Sequence, residues 1–363
     1  MNIVSFFAGA GGLDLGFQKA GFNVVWANEY DKDIWETYEK NHKSTVLDRR
    51  SIVDIQSNEV PDCDGIIGGP PCQSWSEAGT LRGVNDSRGQ LFFDFIRIIA
   101  DKQPKFFLAE NVSGMLLPTH RDALANIKKL FEECGYNLTF GLVNASDYGV
   151  PQDRKRVFFV GYRKDLGISF EFPKPTTAKE KITLEKAIGD LQETVVARKN
   201  GIGQNGTVCK ISNHEYMLGD FSPIFMSRNR VRDWNEVSFT IQAGARHIPI
   251  HPQAPKMTFI EQNKREFVKG QEHLYRRLSV RECARIQTFP DNFIFYYNNI
   301  SAGYKMIGNA VPVRLARAIA EKIKMDLESL NQPSIKPNGY ANETKTKING
   351  SKVKEKMLEI VNS

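Results

Sequence analysis

Residues 6–17 read FFAGAGGLDLGF and close an apolar run that begins at Ile3. Glycine at positions 9, 11 and 12 lets the backbone turn tightly out of a strand and approach a ligand at the start of a helix. Glu29 stands twenty residues after Gly9, at the end of the next apolar run, where a carboxylate can bind ribose hydroxyls. The stretch predicts a nucleoside-bearing cofactor. A tight turn without a ligand has the same glycines, and the pattern alone does not choose between a dinucleotide and S-adenosylmethionine.

Short apolar runs alternate with longer amphipathic segments over the first 160 residues. The runs predicted as strands are IVSFF, NVVWA, DGIIGG, KFFLAE, LTFGLV and VFFVGY. Helical segments between them are DKDIWETYEKNH, LFFDFIRIIADK and HRDALANIKKLFEECG. This alternation predicts an α/β fold with a mostly parallel sheet and helices on both faces. A ligand is then expected at the carboxyl ends of the strands.

After about residue 170 the sequence becomes polar, irregular and dotted with glycine, which predicts a second, smaller and loop-rich domain. We expect a catalytic, cofactor-binding domain over 1–170 and the loop-rich domain over 171–270. Helical periodicity returns over 271–330, and these C-terminal helices are expected to pack back onto the first domain. The segment 331–363 is polar and rich in lysine, so a disordered tail is expected.

The chain of 363 residues has 49 Lys and Arg against 42 Asp and Glu, a net charge of +7. A basic balance favours a polyanionic partner such as nucleic acid. The five cysteines form no CxxC pair, which argues against a disulfide framework or a structural zinc site and fits a reducing cytoplasm. The sequence has no run of about 18 apolar residues, so no membrane span is expected. We expect a cytoplasmic monomer without a metal.

The segment GGPPCQSWSEAG at 68–79 places Cys72 behind two prolines. Proline fixes φ and removes a backbone donor, so Pro70 and Pro71 stiffen the approach to the thiol. A rigid loop at the edge of a parallel sheet suits a nucleophile. A free cysteine is more often a buried structural residue, but the polar residues that follow Cys72 favour the nucleophile.

Two further segments bring charged residues to predicted strand ends. LAENVSGM places Glu110 and Asn111 just after one strand, and PQDRKRVFF places Arg154 and Arg156 on alternate positions entering another, hence on one face. Each has an ordinary explanation alone, such as a helix cap or a charged strand end. Together with Cys72 they form a nucleophile, an acid and two cations, which suits attack on an anionic, base-like substrate.

Seven segments stand in the order found in the cytosine-C5 DNA methyltransferases, and the chain resembles that family from residue 5 to about 320. They are FAGAGGLDLGF, GGPPCQSWS, DSRGQLFFDFIRI, ENVSGM, QDRKRVFFVG, RRLSVRECARIQTFP and KMIGNAVPV. Within the family the chain is most similar to bacterial modification enzymes of the HaeIII type, which act on GGCC. The resemblance implies a Rossmann-like S-adenosylmethionine-dependent methyltransferase sheet beside a smaller target-recognition domain.

The resemblance also implies a reaction. Cys72 would add to carbon 6 of cytosine, and Glu110 would hold and protonate ring nitrogen 3. Carbon 5 would take the methyl group from S-adenosylmethionine and lose its proton, and the cysteine would leave. Arg154 and Arg156 would orient the base and its phosphate. Duplex DNA is the implied partner, and the cytosine must be flipped out of the stack. A transfer-RNA cytosine-C5 methyltransferase shares these motifs and is the alternative.

By the same resemblance, Phe7 and Tyr30 would contact the adenine and Glu29 the ribose. Many relatives carry an Asp for the adenine amino group where this chain has Ser51, so the serine hydroxyl or a nearby aspartate would replace it. The implied cofactor residues are Phe7, Ala8, Gly9, Gly11, Gly12, Glu29, Tyr30, Ser51, Ile52, Pro70, Asn309 and Val311.

Four arginines in the loop-rich domain are expected to read the DNA: Arg228, Arg230, Arg232 and Arg246. Arginine makes bidentate contacts with guanine and phosphate, although a run of charges is more often a solvated face. The HaeIII-type resemblance extends through IFMSRNRVR, FTIQA and HPQAPKM. Between the last two, the chain has GARHIPI where a GGCC reader is expected to have SGRQCQ, so the expected GGCC site rests on the flanking segments.

Overall fold

The computed structural model describes residues 1–71, 87–192, 194–199 and 209–330, together with residues 350, 352, 353 and 355. The strands are β1 Asn2–Phe6, β2 Asn23–Asn28, β3 Val46–Asp48, β4 Gly65–Gly68, β5 Phe106–Val112, β6 Tyr136–Asn144, β7 Lys155–Arg163, β8 Val196–Lys199, β9 Glu215–Leu218, β10 Thr258–Glu261 and β11 Lys264–Glu266. The α-helices are α1 Gly12–Lys19, α2 Trp35–Asn41, α3 Ser87–Lys102, α4 Arg121–Glu133, α5 Leu184–Ile188, α6 Val280–Ile286, α7 Ile300–Asn309 and α8 Val313–Ser329.

Seven strands form one sheet in the order β3-β2-β1-β4-β5-β7-β6. Strand β1 pairs in parallel with β2 and β4, β2 with β3, and β4 with β5. Strand β7 is antiparallel to both of its neighbours, β5 and β6. The predicted α/β fold with a mostly parallel sheet is confirmed. The strand of this sheet that the sequence analysis missed is β3, whose three residues are too few to show a pattern.

Helices cover both faces of the sheet. On one face Val4 and Phe6 of β1 pack with apolar residues of α3 and α4, and on the other Ile3 packs with α1 and α8. Strands that are buried on both faces carry continuous apolar runs, which is why β1 could be recognised in the sequence. Helices α1 and α8 lie so close that a Cβ built at Gly16 would be 2.3 Å from the Cβ of Ala316. The last long helix, α8, thus packs on the sheet that contains β1.

The described part of 171–270 has little regular structure. Besides the short helix α5, it contains two two-stranded sheets, β8 with β9 and β10 with β11. Gln152, in the connection from β6 to β7, forms a parallel bridge with Ser238 and so joins this region to the large sheet. Apolar packing also crosses the expected boundaries, since Ala10, Leu184 and Ile286 share one cluster. The domain boundaries stay predictions.

Most of the tail that was expected to be disordered lies outside the described residues. Where it is described, it makes contacts. The amide of Gly350 donates to Asp101 Oδ1 at 2.7 Å, and Val353 is 1% exposed in the cluster that includes α3. At these positions the structure departs from the expectation of disorder, because Val353 provides an apolar anchor in a polar segment.

Two features are absent from the part of the chain that the structure describes. None of its helices has the length and apolar character of a membrane span. No three of its His, Cys, Asp or Glu side chains lie close enough together to hold a metal ion.

Candidate active site

A cavity of about 430 Å³ opens at the carboxyl ends of β1, β4 and β5. This edge is where open α/β sheets bind their ligands. The expected site residues that line the cavity are Phe7, Ala8, Gly9, Gly12, Glu29, Pro70, Glu110, Arg154, Arg156, Asn309 and Val311. The cavity therefore brings together residues expected to bind the cofactor and residues expected to act on the substrate.

The glycine loop between β1 and α1 forms one wall of the cavity. Phe7, Gly9 and Gly11 have positive φ angles of 53°, 56° and 84°. A positive φ is strained for a bulky residue such as Phe7 and persists only where the surroundings hold it. The amide of Ala8 donates to the carbonyl of Asn28 at 3.1 Å, and the amide of Gly11 donates to the carbonyl of Ala8 at 3.0 Å. The loop is thereby folded on itself and on the end of β2.

Glu29 holds this loop from the end of β2. Its Oε2 accepts from the amide of Gly9 at 2.8 Å, and its Oε1 accepts from the amide of Asp31 at 2.7 Å. Burial raises the pKa of Glu29 above its ordinary value. Beside the loop there is room for a ligand, because no described protein atom lies within 4 Å of the place that a Cβ would take at Gly9. Since a carboxylate has further acceptor positions, the arrangement suits a ribose-bearing cofactor.

The opposite wall comes from the segment between α7 and α8. Asn309 ends α7, and two residues later the carbonyl oxygen of Val311 lies 2.5 Å from where a Cβ would stand on Gly12. A side chain at Gly12 would push the two walls apart, so glycine is required there for the close approach. Residues from the far end of the chain thus close the cavity over the glycine loop.

Glu110 and Arg156, which both line the cavity, form an ion pair. They lie on the neighbouring strands β5 and β7. Arg156 Nε donates to Glu110 Oε1 at 2.8 Å, and the side chains are 14% and 12% exposed, respectively. The second carboxylate oxygen, Oε2, is 3.5 Å from where a Cβ would stand on Gly69. One oxygen is held by the guanidinium, and the other faces Gly69, which follows the end of β4.

Asn111 holds the step between the two prolines. Its Nδ2 donates to the carbonyl of Pro70 at 3.1 Å, and its Oδ1 accepts from the amide of Val112 at 2.8 Å. Cys72 lies outside the described residues. Pro71, the residue directly before Cys72, lines the cavity.

The four described cysteines are poor candidates for a nucleophile. Burial raises the pKa of the Cys63 and Cys134 thiols to about 12. It also raises the pKa of Cys209, and it raises that of Cys283 well above the ordinary value. Only the thiolate is a good nucleophile. These thiols stay protonated at neutral pH, which supports Cys72 by elimination.

Arg154 is buried, and its guanidinium donates hydrogen bonds to backbone carbonyls of the protein. The side chain is 1% exposed. Its NH1 donates to the carbonyl of Ile241 at 3.0 Å, and its NH2 donates to the carbonyls of Gly308 and Ala310 at 2.8 and 3.0 Å. Burial lowers the pKa of the guanidinium well below its ordinary value. Arg154 therefore joins residues 171–270, called the recognition region here after their expected role, to the wall of the cavity.

This geometry corrects the direct role in orienting the base that was expected for Arg154. The sequence analysis placed Arg154 and Arg156 on one strand face by alternation. Strand β7 begins at Lys155, so Arg154 precedes the strand and the alternation does not apply to it. Arg156 is the one of the two whose guanidinium contacts another expected catalytic side chain.

Four of the expected cofactor residues do not line the cavity. Tyr30 is 72% exposed, between two residues that do line it. Ser51 caps a short 3-10 turn through its hydroxyl, and Ile52 is 2% exposed in the core with α3. A Cβ at Gly11 would meet His42 Nε2 at 2.0 Å, so Gly11 faces the core. Adenine contacts by Tyr30 and Ser51 stay predictions. Gly11 faces His42 in the core, and Ile52 packs in the core with α3.

Two of the four expected recognition arginines are bound to neighbouring groups of the protein. Arg230 Nε donates to the carbonyl of Phe225 at 2.8 Å, and its guanidinium lies 4.8 Å from the centre of that ring. Arg232 pairs with Glu236 at 2.9 Å and lies 4.2 Å from the ring centre of Phe239. Both side chains hold the recognition region in shape.

The other two, Arg228 and Arg246, are exposed. Arg246 also lines a groove of about 470 Å³ between the recognition region and α7, where Lys305 and Asp33 lie as well. These two are the arginines of the four that are exposed.

The sequence analysis did not single out two buried glutamines that connect the parts of the site. Gln152 Nε2 donates to Gln287 Oε1 at 3.1 Å, and Gln152 Oε1 accepts from the amide of Ile241 at 2.9 Å. Gln287 Nε2 donates to the carbonyl of Ile307 in α7 at 2.9 Å. Both stand in quoted motifs, QDRKR and IQTFP. Gln287 stands between Ile286 and Thr288, so the local sequence gave no clear signal of its buried contacts.

Comparison with known proteins agrees with this geometry. A family model described as C-5 cytosine-specific DNA methylase matches residues 1–325. The chain is 58% identical over 328 residues to the type II methyltransferase M.FnuDI of Fusobacterium nucleatum, covering 90% of this chain and 95% of that protein. It is 58% identical over 333 residues to the type II methyltransferase M.NgoPII of Neisseria gonorrhoeae, covering 90% and 96%.

Among solved structures, a protein of an E. coli prophage assigned as a DNA modification methyltransferase superposes with a TM-score of 0.69 at 25% identity, covering 90% of this chain and 99% of that one. The agreement extends over the sheet, the cavity walls and the recognition region, so it does not rest on short motifs. The sheet is that of a Rossmann-like methyltransferase. The chain belongs to the C-5 cytosine-specific DNA methylase family and is a DNA (cytosine-5-)-methyltransferase.

Proposed function

We propose that this enzyme transfers the methyl group of S-adenosylmethionine to carbon 5 of a cytosine flipped out of a short, specific site in duplex DNA. The observation that carries the proposal is the Glu110–Arg156 ion pair beside the braced carbonyl of Pro70. Glu110, Arg156 and Pro71, the residue before Cys72, line the same cavity as the glycine loop.

The cofactor site fits this assignment. When bound, S-adenosylmethionine supplies an electrophilic methyl group. Glu29 would accept hydrogen bonds from the ribose hydroxyls, and the open space beside Gly9 would admit the cofactor next to the loop. Phe7 and Tyr30 would contact the adenine, and Asn309 would help to close the cavity.

The proposed reaction uses Cys72 as the nucleophile and Glu110 as the acid. The Cys72 sulfur, as a thiolate, would bond to carbon 6 while Glu110 delivers a proton to nitrogen 3, so that negative charge does not build up on the ring. The resulting enamine makes carbon 5 nucleophilic enough to accept the methyl group. Water then takes the proton from carbon 5 as the sulfur–carbon bond breaks and the Cys72 sulfur leaves as a thiolate. Glu110 takes back the proton from nitrogen 3, which restores the neutral ring. Arg156 would keep Glu110 in place throughout.

A cytosine can reach the cavity only outside the duplex, and unstacking it costs a few kcal/mol that protein–DNA contacts must offset. We propose that Arg228 and Arg246 make such contacts and that Arg230 and Arg232 shape the surface that presents them. GGCC is the proposed site. Duplex DNA is favoured over transfer RNA because the similar proteins are named type II methyltransferases, a name that also fits protection of host DNA in a restriction–modification system.

A duplex that carries 5-fluorocytosine in place of the target cytosine tests the mechanism. Fluorine cannot leave as a proton does, so the covalent adduct should persist and appear by mass spectrometry as a DNA peptide linked through Cys72. Cys72→Ser should give no adduct, whereas Cys209→Ser should give as much as the wild type. Methylated product from normal DNA without any adduct on the fluorinated duplex would contradict the mechanism.

Transfer of an isotope-labelled methyl group from S-adenosylmethionine compares substrates. We expect transfer to a GGCC duplex, and none to a duplex of the same composition without that site. Transfer to another site would correct the specificity alone. Preferential labelling of transfer RNA would favour the alternative function.

A further inference from the structure

A buried carboxylate lies beneath the glycine loop and has no part in the chemistry above. Asp14 stands in the first turn of α1 and is 0% exposed. Its Oδ1 accepts from Ser5 Oγ at 2.6 Å, and its Oδ2 accepts from Tyr38 OH at 2.5 Å. Burying a carboxylate is unfavourable unless it is hydrogen-bonded. The two hydroxyl donors therefore stabilise Asp14 at this position, one on each side.

The bond between Ser5 and Asp14 spans the glycine loop. Ser5 lies in β1 just before the loop and lines the cavity, and Asp14 follows the loop. Between them stand the residues with positive φ, a conformation that lasts only where several contacts determine it. Glu29 holds the middle of the loop at Gly9. The Ser5–Asp14 bond ties its two ends together.

We propose that Asp14 is a positioning residue for the cofactor site, which holds Ser5 at the base of the glycine loop and so keeps the loop backbone in the conformation that lines the cavity. This inference rests on the proposed function, since it takes the cavity as the site of S-adenosylmethionine.

The second hydrogen bond of Asp14, from the Tyr38 hydroxyl, lies away from the cavity. Tyr38 is 0% exposed, does not line the cavity, and stacks on the ring of His42 at 4.4 Å between ring centres. Its hydroxyl satisfies the carboxylate from the core side. The two bonds can therefore be removed one at a time, with the core-side bond as the matched control for the bond that ties the loop.

Three variants of the full chain make the test: Ser5→Ala, Asp14→Asn and Tyr38→Phe. Calorimetry measures the binding of S-adenosylhomocysteine, and initial rates give the KM for S-adenosylmethionine and kcat. We expect Ser5→Ala and Asp14→Asn to weaken binding and raise KM by about tenfold, the effect of losing a hydrogen bond to a charged group, with a much smaller change in kcat. We expect Tyr38→Phe to lower the melting temperature and leave binding within about twofold of the wild type.

Ser5→Ala keeps the test valid if Asp14→Asn fails to fold. Binding by Ser5→Ala that equals the wild type overturns the inference and leaves Asp14 a structural residue. Weakening by Tyr38→Phe as large as that by Ser5→Ala also overturns it, because the bond across the loop would then have no particular importance. A wild-type protein that binds no S-adenosylhomocysteine overturns the cofactor assignment itself, and that result is distinct from equal binding by wild type and variant.

Discussion

Arg154 and Arg156 are the same type of residue two positions apart, and they serve different purposes. Arg154 donates to three backbone carbonyls and is 1% exposed. Arg156 holds Glu110 at the cavity. A buried carbonyl that loses its donor is costly, whereas loss of a partner at the cavity acts mainly on the reaction. The two arginines thus form a matched pair for separating stability from catalysis.

We predict that Arg154→Met lowers the free energy of unfolding by about 3 kcal/mol or more, because each buried group left without a partner costs about 1–3 kcal/mol. Arg156→Met should cost clearly less stability and should slow methyl transfer by about 100-fold or more, in the range of a lost general acid. Urea denaturation and initial rates of the two purified variants measure both effects. If Arg156→Met proved the less stable of the two, Arg154 would not be the joining residue described here.

At the scale of residues, the sequence predicts which side chains line the site better than it predicts the contacts that each side chain makes. Glu29, Glu110 and Arg156 could be named because their motifs place them at strand ends, where the cavity lies. The burial of Arg154 could not, since its partners Ile241 and Gly308 are 87 and 154 residues away along the chain. No local period reports a contact over such distances.

At the scale of elements, the strands that are buried on both faces are the ones that the sequence predicts most clearly. Strands β1, β4, β5 and β7 lie inside the sheet and carry continuous apolar runs that mark them in the sequence. Strand β3 lies at the edge and has three residues. The recognition region is held by side-chain contacts such as Arg232 with Glu236, which follow no period. Its loop-rich character could be predicted, and its internal arrangement could not.

The contact of α1 with α8 gives a prediction in which packing opposes helix propensity. Alanine is the better helix former by about 1 kcal/mol, yet a Cβ at Gly16 would lie 2.3 Å from the Cβ of Ala316 and 2.8 Å from the amide nitrogen of Arg317. We expect Gly16→Ala to cost about 1–3 kcal/mol of stability, as overpacked cores do. Thermal denaturation should show Gly189→Ala unchanged, because a Cβ there would lie at an ordinary contact distance of 3.6 Å from Glu185 Cγ. A more stable Gly16→Ala would mean that the two helices can separate without cost.

At the scale of the whole molecule, stability depends on buried groups that titrate in opposite senses. Burial lowers the pKa of His42 and His251 to about 4 and also lowers that of His214. Burial raises the pKa of Asp14 to about 6. Below a pH of about 6.5 the unfolded chain binds protons at these histidines while the folded chain does not, so acid favours unfolding. Below pH 6 the folded chain binds a proton at Asp14 before the unfolded chain does, so acid favours folding there.

The histidines outweigh the aspartate, so the free energy of unfolding should fall as the pH drops from about 6.5 to 5. Over that interval His42 and His251 should each remove about 2 kcal/mol and Asp14 should return about 1 kcal/mol. Urea denaturation at constant ionic strength measures the slope. His251→Gln keeps a polar side chain but does not titrate, so its loss over the same interval should be smaller than that of the wild type by about 2 kcal/mol. Equal slopes would show that His251 is protonated in the folded protein as readily as in the unfolded chain, and the burial of its ring would then have no influence on the acid stability of the fold.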